Sequence, residues 1–166
     1  KLEGGRYMLD CFETLLALHK EGQIDSICFA PLNKHTLKIG GMSYPDEGQW
    51  LTAQLECLGH TAELNVIEGL WTSRVTSHVP LRDVADLITV DGIIDAVLLI
   101  DGVLRTAGVE NPKIMVAGLN PHAGDNGSFG REELDVIGPA VELAKERGFN
   151  AEGPYSPDTM FLLAKK

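Results

Sequence analysis

The segment that most constrains the fold is an apolar run, residues 113–119 (KIMVAGL), which leads directly into Asn-Pro-His-Ala-Gly at residues 120–124. Such a run is typical of a strand buried on both faces, and the proline and glycine mark its end. Strands of that kind belong to parallel sheets, because crossover connections place helices on both sides of the sheet. The run therefore predicts a parallel sheet in which His122 follows directly after a buried strand.

The other segments alternate between helical and strand patterns. Apolar residues at helical spacing predict five helices: residues 4–22, 45–59, 81–88, 91–106 and a helix after residue 130 that Pro139 should kink. Runs rich in β-formers predict three further strands: residues 26–30, 64–67 and 70–75. We therefore predict an α/β fold, a layered and mostly parallel sheet with helices on both faces.

Composition narrows the class of partner. The chain has 166 residues, which fits one ordinary domain, and a formal net charge of −10 without any basic run. Nucleic acid and anionic membranes both require a basic surface, so neither is an expected partner. No apolar segment is long enough for a membrane helix. The three cysteines are widely spaced and form no CxxC motif, which favours a reducing, cytoplasmic setting over a disulfide framework.

Polar groups follow three of the predicted strands. Lys34, His78 and His122 each come shortly after a strand, at the sheet edge where open parallel sheets bind ligands. The two histidines together suggest a divalent metal such as zinc, cobalt or manganese, with the remaining ligands from elsewhere. The alternative is that one or both histidines are structural or merely exposed.

Anion-binding candidates are less specific. Lys34 could provide a positive charge for a phosphate, or it could be an ordinary solvated lysine. The glycine-rich loop at residues 124–130 could cradle an anion or form a surface turn, and it matches neither common phosphate-binding motif. His60 and Thr61 could hydrogen-bond a phosphate or a carboxylate. The carboxylates of Asp83, Asp86, Glu132 and Glu133 are interpreted as solvated helix charges.

Several motifs together resemble one enzyme family. The segment Gly-Leu-Asn-Pro-His-Ala-Gly at residues 118–124, extended by Gly127, Gly130 and the glutamates 132 and 133, is similar to the signature loop of the 4-hydroxythreonine-4-phosphate dehydrogenase family (PdxA type) of vitamin B6 biosynthesis. The same resemblance extends, in order, to residues 30–34, 59–61, 76–89 and 157–161. We therefore expect residues 1–166 to be the central segment of such a dehydrogenase, with parts missing at both ends.

The resemblance implies a fold and roles for individual residues. The fold would be like that of isocitrate and isopropylmalate dehydrogenases, in a homodimer whose active site both subunits build. His78 and His122 would be two of three histidine ligands to a catalytic divalent metal (Zn, Mg, Co or Mn), with the third outside this chain. His60 and Thr61 would contact the substrate phosphate. Lys34 would lie near that site as a catalytic residue, and Asp158 would support the metal region.

The implied reaction is the oxidation of a 4-phosphorylated 3-hydroxy acid by NAD (or NADP), followed by decarboxylation. The metal would act as a Lewis acid in both steps. Asn33, and the short segment between His60 and His78, are more like relatives that act on 4-phospho-D-threonate or 4-phospho-D-erythronate and would yield dihydroxyacetone phosphate. Two other classes stay open: a non-catalytic module that binds phosphorylated acids, and a metal-dependent hydrolase.

Overall fold

A computed structural model describes residues 1–163, which divide into two compact units, one of residues 1–61 and one that begins at Ala62. The first unit contains helices α1 (Leu2–Lys20), α2 (Lys34–Gly40) and α3 (Glu47–Gln54). The described residues of the second contain four short strands, four helices, two 3-10 turns and one π-helical turn. Within residues 1–163, no helix is both long enough and apolar enough to cross a membrane.

The first unit is a small helical core. Its buried side chains come from all three helices and the segment after α2: Phe12, Leu16, Leu37, Met42 and Trp50. Asn33 and Asp46 begin α2 and α3 as N-caps, because their side-chain oxygens accept the backbone N–H groups of Thr36 (2.9 Å) and Gln49 (2.8 Å). The sequence therefore determines where these two helices start.

The first unit differs from the predictions in three places. Residues 26–30 form no strand, because their apolar side chains pack against α1 instead: the ring of Phe29 lies 5.0 Å from the ring of Phe12. Residues 34–40, for which no helix was predicted, form α2. The helix predicted to reach Gly59 ends at Gln54, and Leu58 is fully exposed.

The second unit begins with a hairpin. Strands β1 (Asn65–Ile67) and β2 (Leu70–Thr72) are antiparallel, with Val66 opposite Trp71, and β2 is shorter than the predicted run. A 3-10 turn (Leu81–Asp83) and α4 (Val84–Leu87) occupy the predicted short helix. Thr89 is the N-cap of helix α5 (Val90–Thr106), because its hydroxyl accepts the N–H of Gly92. This helix confirms the one predicted over residues 91–106.

A parallel strand pair forms the centre of the second unit. Strand β3 (Ile114–Ala117) is followed by a 3-10 turn (Pro121–Gly124), a π-helical turn (Glu133–Ile137), helix α6 (Gly138–Glu146), strand β4 (Ala151–Tyr155) and helix α7 (Met160–Leu163). Strand β4 pairs in parallel with β3, so β3, α6 and β4 form a βαβ unit. The interruption expected at Pro139 is the π-helical turn, which ends directly before Gly138.

The core of the second unit lies between α5, α6 and the parallel pair. Its buried residues are Ile93, Ile94, Val97, Ile100, Ile114, Ile137, Ala140, Ala144 and Ala151. The small side chains of Ala140 and Ala144, both without exposed surface, let α6 approach the strands closely. The predicted α/β class is confirmed. Within residues 1–163 the sheets are one antiparallel and one parallel pair, and the three cysteines are free.

Candidate active site

The carboxyl ends of β3 and β4 bring two predicted site residues together. The strands are parallel, and the N–H of Gly118 donates to the carbonyl oxygen of Tyr155 at 2.7 Å. Their following loops therefore leave the same edge of the pair. His122 lies on the loop after β3 and Asp158 on the loop after β4, and His122 Nδ1 is 3.9 Å from Asp158 Oδ2.

The turn that contains His122 has an unusual backbone. His122 and Ala123 have φ angles of 54° and 52°, in the left-handed region, which costs roughly 1–2 kcal/mol for each such residue. The imidazole of His122 is 74% exposed, and its ring centre lies 6.4 Å from that of Phe129. The side chain is accessible to a ligand, so other contacts must fix the turn.

Those contacts come from Glu133, the first residue of the π-helical turn. Its Oε1 accepts the backbone N–H groups of Leu119 and Asn120, both at 2.7 Å, and its Oε2 accepts the Asn120 side-chain amide at 2.9 Å. Hydrogen bonds to a charged group contribute roughly 1.5–3 kcal/mol each. Three such bonds can therefore offset the strain of the turn.

The interpretation of Glu133 as a solvated helix charge is wrong. Only 4% of the residue is exposed, because the loop of residues 118–124 covers its carboxylate. Burial raises the pKa of the Glu133 carboxyl, but the hydrogen bonds from Asn120 and Leu119 lower it by more, and the net pKa shift is downward. The carboxylate is thus held in its charged form.

Two glycines make room for the Glu133 carboxylate. A Cβ on Gly118 would lie 2.9 Å from Oε1, and a Cβ on Gly124 would lie 2.7 Å from Oε2. Gly124 also has a φ of 78°, which side chains disfavour. These contacts explain two of the glycines in the loop motif. Glu133 and Asn120 were not predicted as site residues, although both belong to the motif that indicated the family.

The structure also tests whether residues 124–130 could cradle an anion. Backbone N–H groups of this loop donate to its own carbonyl oxygens: Gly127 and Phe129 to Gly124, and Ser128 to Asp125. These three donors are therefore not available to a phosphate. The structure does not support the loop as an anion cradle.

His78 lies on the connection between β2 and the 3-10 turn Leu81–Asp83. It is exposed, has a left-handed φ of 57°, and its Nδ1 is 3.4 Å from Ser77 Oγ. Across residues 1–163, no three His, Cys, Asp or Glu side chains converge into a metal-binding group. The assignment of His78 and His122 as metal ligands stays a prediction.

The remaining candidates belong to the first unit. Lys34 is the first residue of α2, and its Nζ lies 3.7 Å from Glu47 Oε2. His60 and Thr61 are exposed beyond the end of α3, and Thr61 Oγ1 is 3.2 Å from Thr52 Oγ1. Both threonines border a cavity of about 410 Å³, so the Thr61 hydroxyl lies beside space for a ligand.

Fold and site together define an α/β protein with polar groups at the carboxyl ends of parallel strands, where such proteins bind ligands. The chain belongs to the family described as Pyridoxal phosphate biosynthetic protein PdxA, which matches residues 1–166. This confirms the family resemblance found in the sequence motifs.

Curated relatives agree with the family. A Pseudomonas aeruginosa protein named "Putative 4-hydroxythreonine-4-phosphate dehydrogenase 2" is 51% identical over 159 residues, which is 96% of this chain and 47% of that protein. The 4-hydroxythreonine-4-phosphate dehydrogenase of Burkholderia vietnamiensis is 39% identical over 164 residues (95% and 49%). A Clostridium botulinum protein named "Putative D-threonate 4-phosphate dehydrogenase" is 34% identical over 168 residues (100% and 50%). The chain spans about half the length of the curated relatives it matches.

Solved structures confirm the fold class. The crystal structure of 4-hydroxythreonine-4-phosphate dehydrogenase from Klebsiella pneumoniae has a TM-score of 0.89 and 34% identity, covering 99% of this chain and 50% of that one. A 4-hydroxythreonine-4-phosphate dehydrogenase from Burkholderia phymatum has a TM-score of 0.79 and 35% identity, covering 96% and 48%. The α/β architecture is that of PdxA-family dehydrogenases.

Proposed function

We propose that this chain is the central segment of a dehydrogenase that uses NAD (or NADP) and a divalent metal to oxidise and decarboxylate a 4-phosphorylated 3-hydroxy acid. The main observation is the approach of His122 to Asp158 at the carboxyl edge of the β3–β4 pair. Membership of the PdxA family supports the reaction class. The proposed substrate is 4-hydroxythreonine 4-phosphate, as in the name of the Burkholderia vietnamiensis relative.

The exposed side chains fit a divalent metal by their chemistry. Imidazole nitrogen and carboxylate oxygen are ligands of zinc, cobalt and manganese, and the side chains of His122 and Asp158 are 74% and 58% exposed at the same edge. His78 and His122 would hold the metal, with a third histidine from outside this chain. When bound, the metal supplies Lewis-acid catalysis, which favours both loss of the alcohol proton and decarboxylation.

The carboxylate of Asp158 lies beside one particular ring nitrogen of His122. Nδ1 is the ring nitrogen that faces Asp158. A carboxylate near Nδ1 favours the tautomer that has its proton there, which leaves the lone pair of Nε2 for a metal. In this proposal Asp158 supports the metal region by orienting the ring.

The substrate phosphate is assigned to the first unit. His60 and Thr61 offer a ring nitrogen and a hydroxyl as hydrogen-bond partners, and the cavity beside Thr61 supports that assignment. Lys34 adds a positive charge in a strongly acidic chain. Its ion pair with Glu47 is long, at 3.7 Å, and its side chain is 47% exposed, so its ammonium group stays open to an anion.

Two further features belong to the same proposal. The whole protein is a homodimer with an active site shared between subunits, as the family resemblance implies. Its location is cytoplasmic, an assignment that the free thiols of Cys11, Cys28 and Cys57 support. No residue of this chain is assigned to the nicotinamide cofactor.

A second substrate is favoured by particular residues. Asn33 and the short segment between His60 and His78 are similar to the corresponding parts of enzymes that act on 4-phospho-D-threonate and 4-phospho-D-erythronate. The Clostridium botulinum relative, 34% identical over its aligned residues, is named for a D-threonate 4-phosphate substrate. Loss of one carbon from such an acid would give dihydroxyacetone phosphate.

The decisive experiment uses the protein expressed from its whole coding sequence, with NAD, a divalent metal and each candidate acid in turn. NADH formation with one acid, lost in His122→Ala, is the expected result. Absence of NADH with every acid, and of NADPH when NADP replaces NAD, would refute the dehydrogenase. Two further measurements would then separate the other two classes. Binding of the acid in calorimetry without turnover indicates a non-catalytic module, and release of inorganic phosphate without NAD indicates a hydrolase.

A further inference from the structure

The buried carboxylate of Glu133 is the main anchor of the loop that presents His122. Its two oxygens accept three hydrogen bonds from Leu119 and Asn120, at 2.7, 2.7 and 2.9 Å. No other charged residue in the described part of the chain is as little exposed as Glu133, at 4%. A surface carboxylate that merely stabilises a helix start would not need to be enclosed in this way.

The contacts lead from Glu133 to His122 through very few atoms. Asn120 is bound to Glu133 by both its backbone and its side chain, and only Pro121 separates it from His122. The turn closes on Asn120, whose carbonyl oxygen accepts the N–H of Ala123 at 3.1 Å. A shift of the Glu133 carboxylate would therefore move both ends of the turn that contains His122.

Close packing leaves the loop little freedom to take another position. The Glu133 oxygens occupy the space that a side chain on Gly118 or Gly124 would need, since a Cβ on these glycines would lie only 2.9 and 2.7 Å from them. Glu132 reinforces the arrangement, because its Oε2 accepts the Asn120 amide at 2.6 Å. The loop is thus bound by the carboxylates of both Glu133 and Glu132.

We propose that Glu133 is a positioning residue for the active site: its carboxylate fixes the strained turn of residues 121–124 and so sets where the imidazole of His122 stands relative to Asp158. This inference rests on the proposed function, because it assigns His122 to the metal. In this role Glu133 acts through its hydrogen bonds to Leu119 and Asn120, and no direct contact with substrate or metal is assigned to it. Residues that orient metal ligands in this way typically affect metal affinity or activity tenfold to a hundredfold.

The test compares Glu133→Gln with Asp135→Asn in the protein expressed from its whole coding sequence. Glutamine keeps the size of Glu133 but has one oxygen and no charge, so its amide group faces the Asn120 donor. Asp135 is a matched control, because it lies on the same π-helical turn and pairs with the exposed Arg131. Three quantities are measured: kcat and KM, zinc affinity by chelator competition, and amide hydrogen exchange of Leu119 and Asn120 in the metal-free protein.

For Glu133→Gln we expect faster exchange of both amides, a roughly tenfold to hundredfold loss of zinc affinity and a similar loss of kcat, with KM changed far less. Asp135→Asn should match the wild type in all three. A folded Glu133→Gln protein that keeps wild-type zinc affinity and kcat would overturn the proposal. If Glu133→Gln does not fold, the substitute variant is Asn120→Ala, which removes only the hydrogen bonds of the Asn120 side chain. It should weaken zinc binding, and unchanged zinc binding would also overturn the proposal.

Failure of the proposed function would look different. If the wild-type protein reduces neither NAD nor NADP with any acid, the dehydrogenase assignment fails. Zinc affinity and amide exchange still report whether Glu133 positions the His122 turn. The two proposals can therefore be judged separately.

Discussion

Nδ1 of His122 lies 3.9 Å from Oδ2 of Asp158, although the two residues follow different strands. The pair is solvent-exposed, and exposed pairs of this kind contribute at most about 1 kcal/mol to stability. We therefore predict that Asp158→Asn lowers kcat/KM by about tenfold to a hundredfold while the melting temperature stays almost unchanged. Steady-state kinetics and thermal unfolding of the same preparation check both parts.

A suitable control for Asp158→Asn is Glu142→Gln. Glu142 also forms an exposed ion pair, with Lys145 at 2.7 Å, but it lies on α6 away from the loop ends. Both variants should unfold like the wild type, and only Asp158→Asn should lose activity. Equal activities for the two variants would argue against a role for Asp158 in the metal region.

A second prediction concerns the crossing of α1 and α2. Gly5 lies against the backbone of α2: an added Cβ would overlap the carbonyl oxygen of Thr36 and lie 2.8 Å from Cα of Gly40. Backbone atoms cannot move aside as a flexible side chain could, so Gly5→Ala should destabilise the protein by about 1–3 kcal/mol or more. Denaturant unfolding measures the change.

Gly4→Ala is the matched control for Gly5→Ala. The neighbouring Gly4 has the same helical backbone, but nothing lies within 4 Å of its Cβ position. Because alanine favours helix over glycine by up to about 1 kcal/mol, Gly4→Ala should be neutral or slightly stabilising. If both variants were equally stable, the close contact of the two helices would be wrong.

The sequence predicted those elements whose pattern is local. Helices α1 and α5 follow directly from apolar spacing, and β3 follows from its continuous apolar run. Strand β4 was missed because its sequence, AEGPY, contains glycine and proline and no β-branched residue. It forms because it pairs with β3, and no pattern within residues 151–155 can reveal a partner so distant in the chain.

The same limit applies to the candidate site. His122 and Asp158 were assigned from the family motifs, and parallel pairing of β3 and β4 accounts for their approach. Glu133 was misread because glutamate in a first helical turn is usually solvated. Its burial depends on where the loop of residues 118–124 folds, which the local charge pattern does not contain.

A third prediction tests the core of the first unit. Leu37 is completely buried among the side chains of α1 and α3, so Leu37→Ala should cost about 2–5 kcal/mol of unfolding free energy. Leu58 is fully exposed, and Leu58→Ala should change it by less than about 0.5 kcal/mol. A large effect at Leu58 would show that residue to be buried in solution, contrary to the structure.

The last prediction concerns pH. Burial raises the pKa of Glu133, but its hydrogen bonds from Asn120 and Leu119 lower that pKa by more. In the folded protein the carboxylate therefore stays ionised at pH values below its unfolded pKa of about 4.3. A group with a depressed folded pKa stabilises the protein above its unfolded pKa, and that stabilisation is lost as pH falls through the folded pKa. Urea unfolding from about pH 6 to pH 3 should therefore show a steeper loss of stability for wild type than for Glu133→Gln.

Glu152 provides the comparison for this pH effect. The pKa of Glu152 is also lowered, first by the hydroxyl of Tyr155 at 2.6 Å and then by Lys113 at 3.0 Å. Its side chain is 42% exposed, however, and solvent screens its interactions. Glu152→Gln should therefore reduce the loss of unfolding free energy between about pH 6 and pH 3 by less than Glu133→Gln does. The reverse order would contradict the expectation that the enclosed hydrogen bonds of Glu133 couple more strongly to folding than the exposed contacts of Glu152.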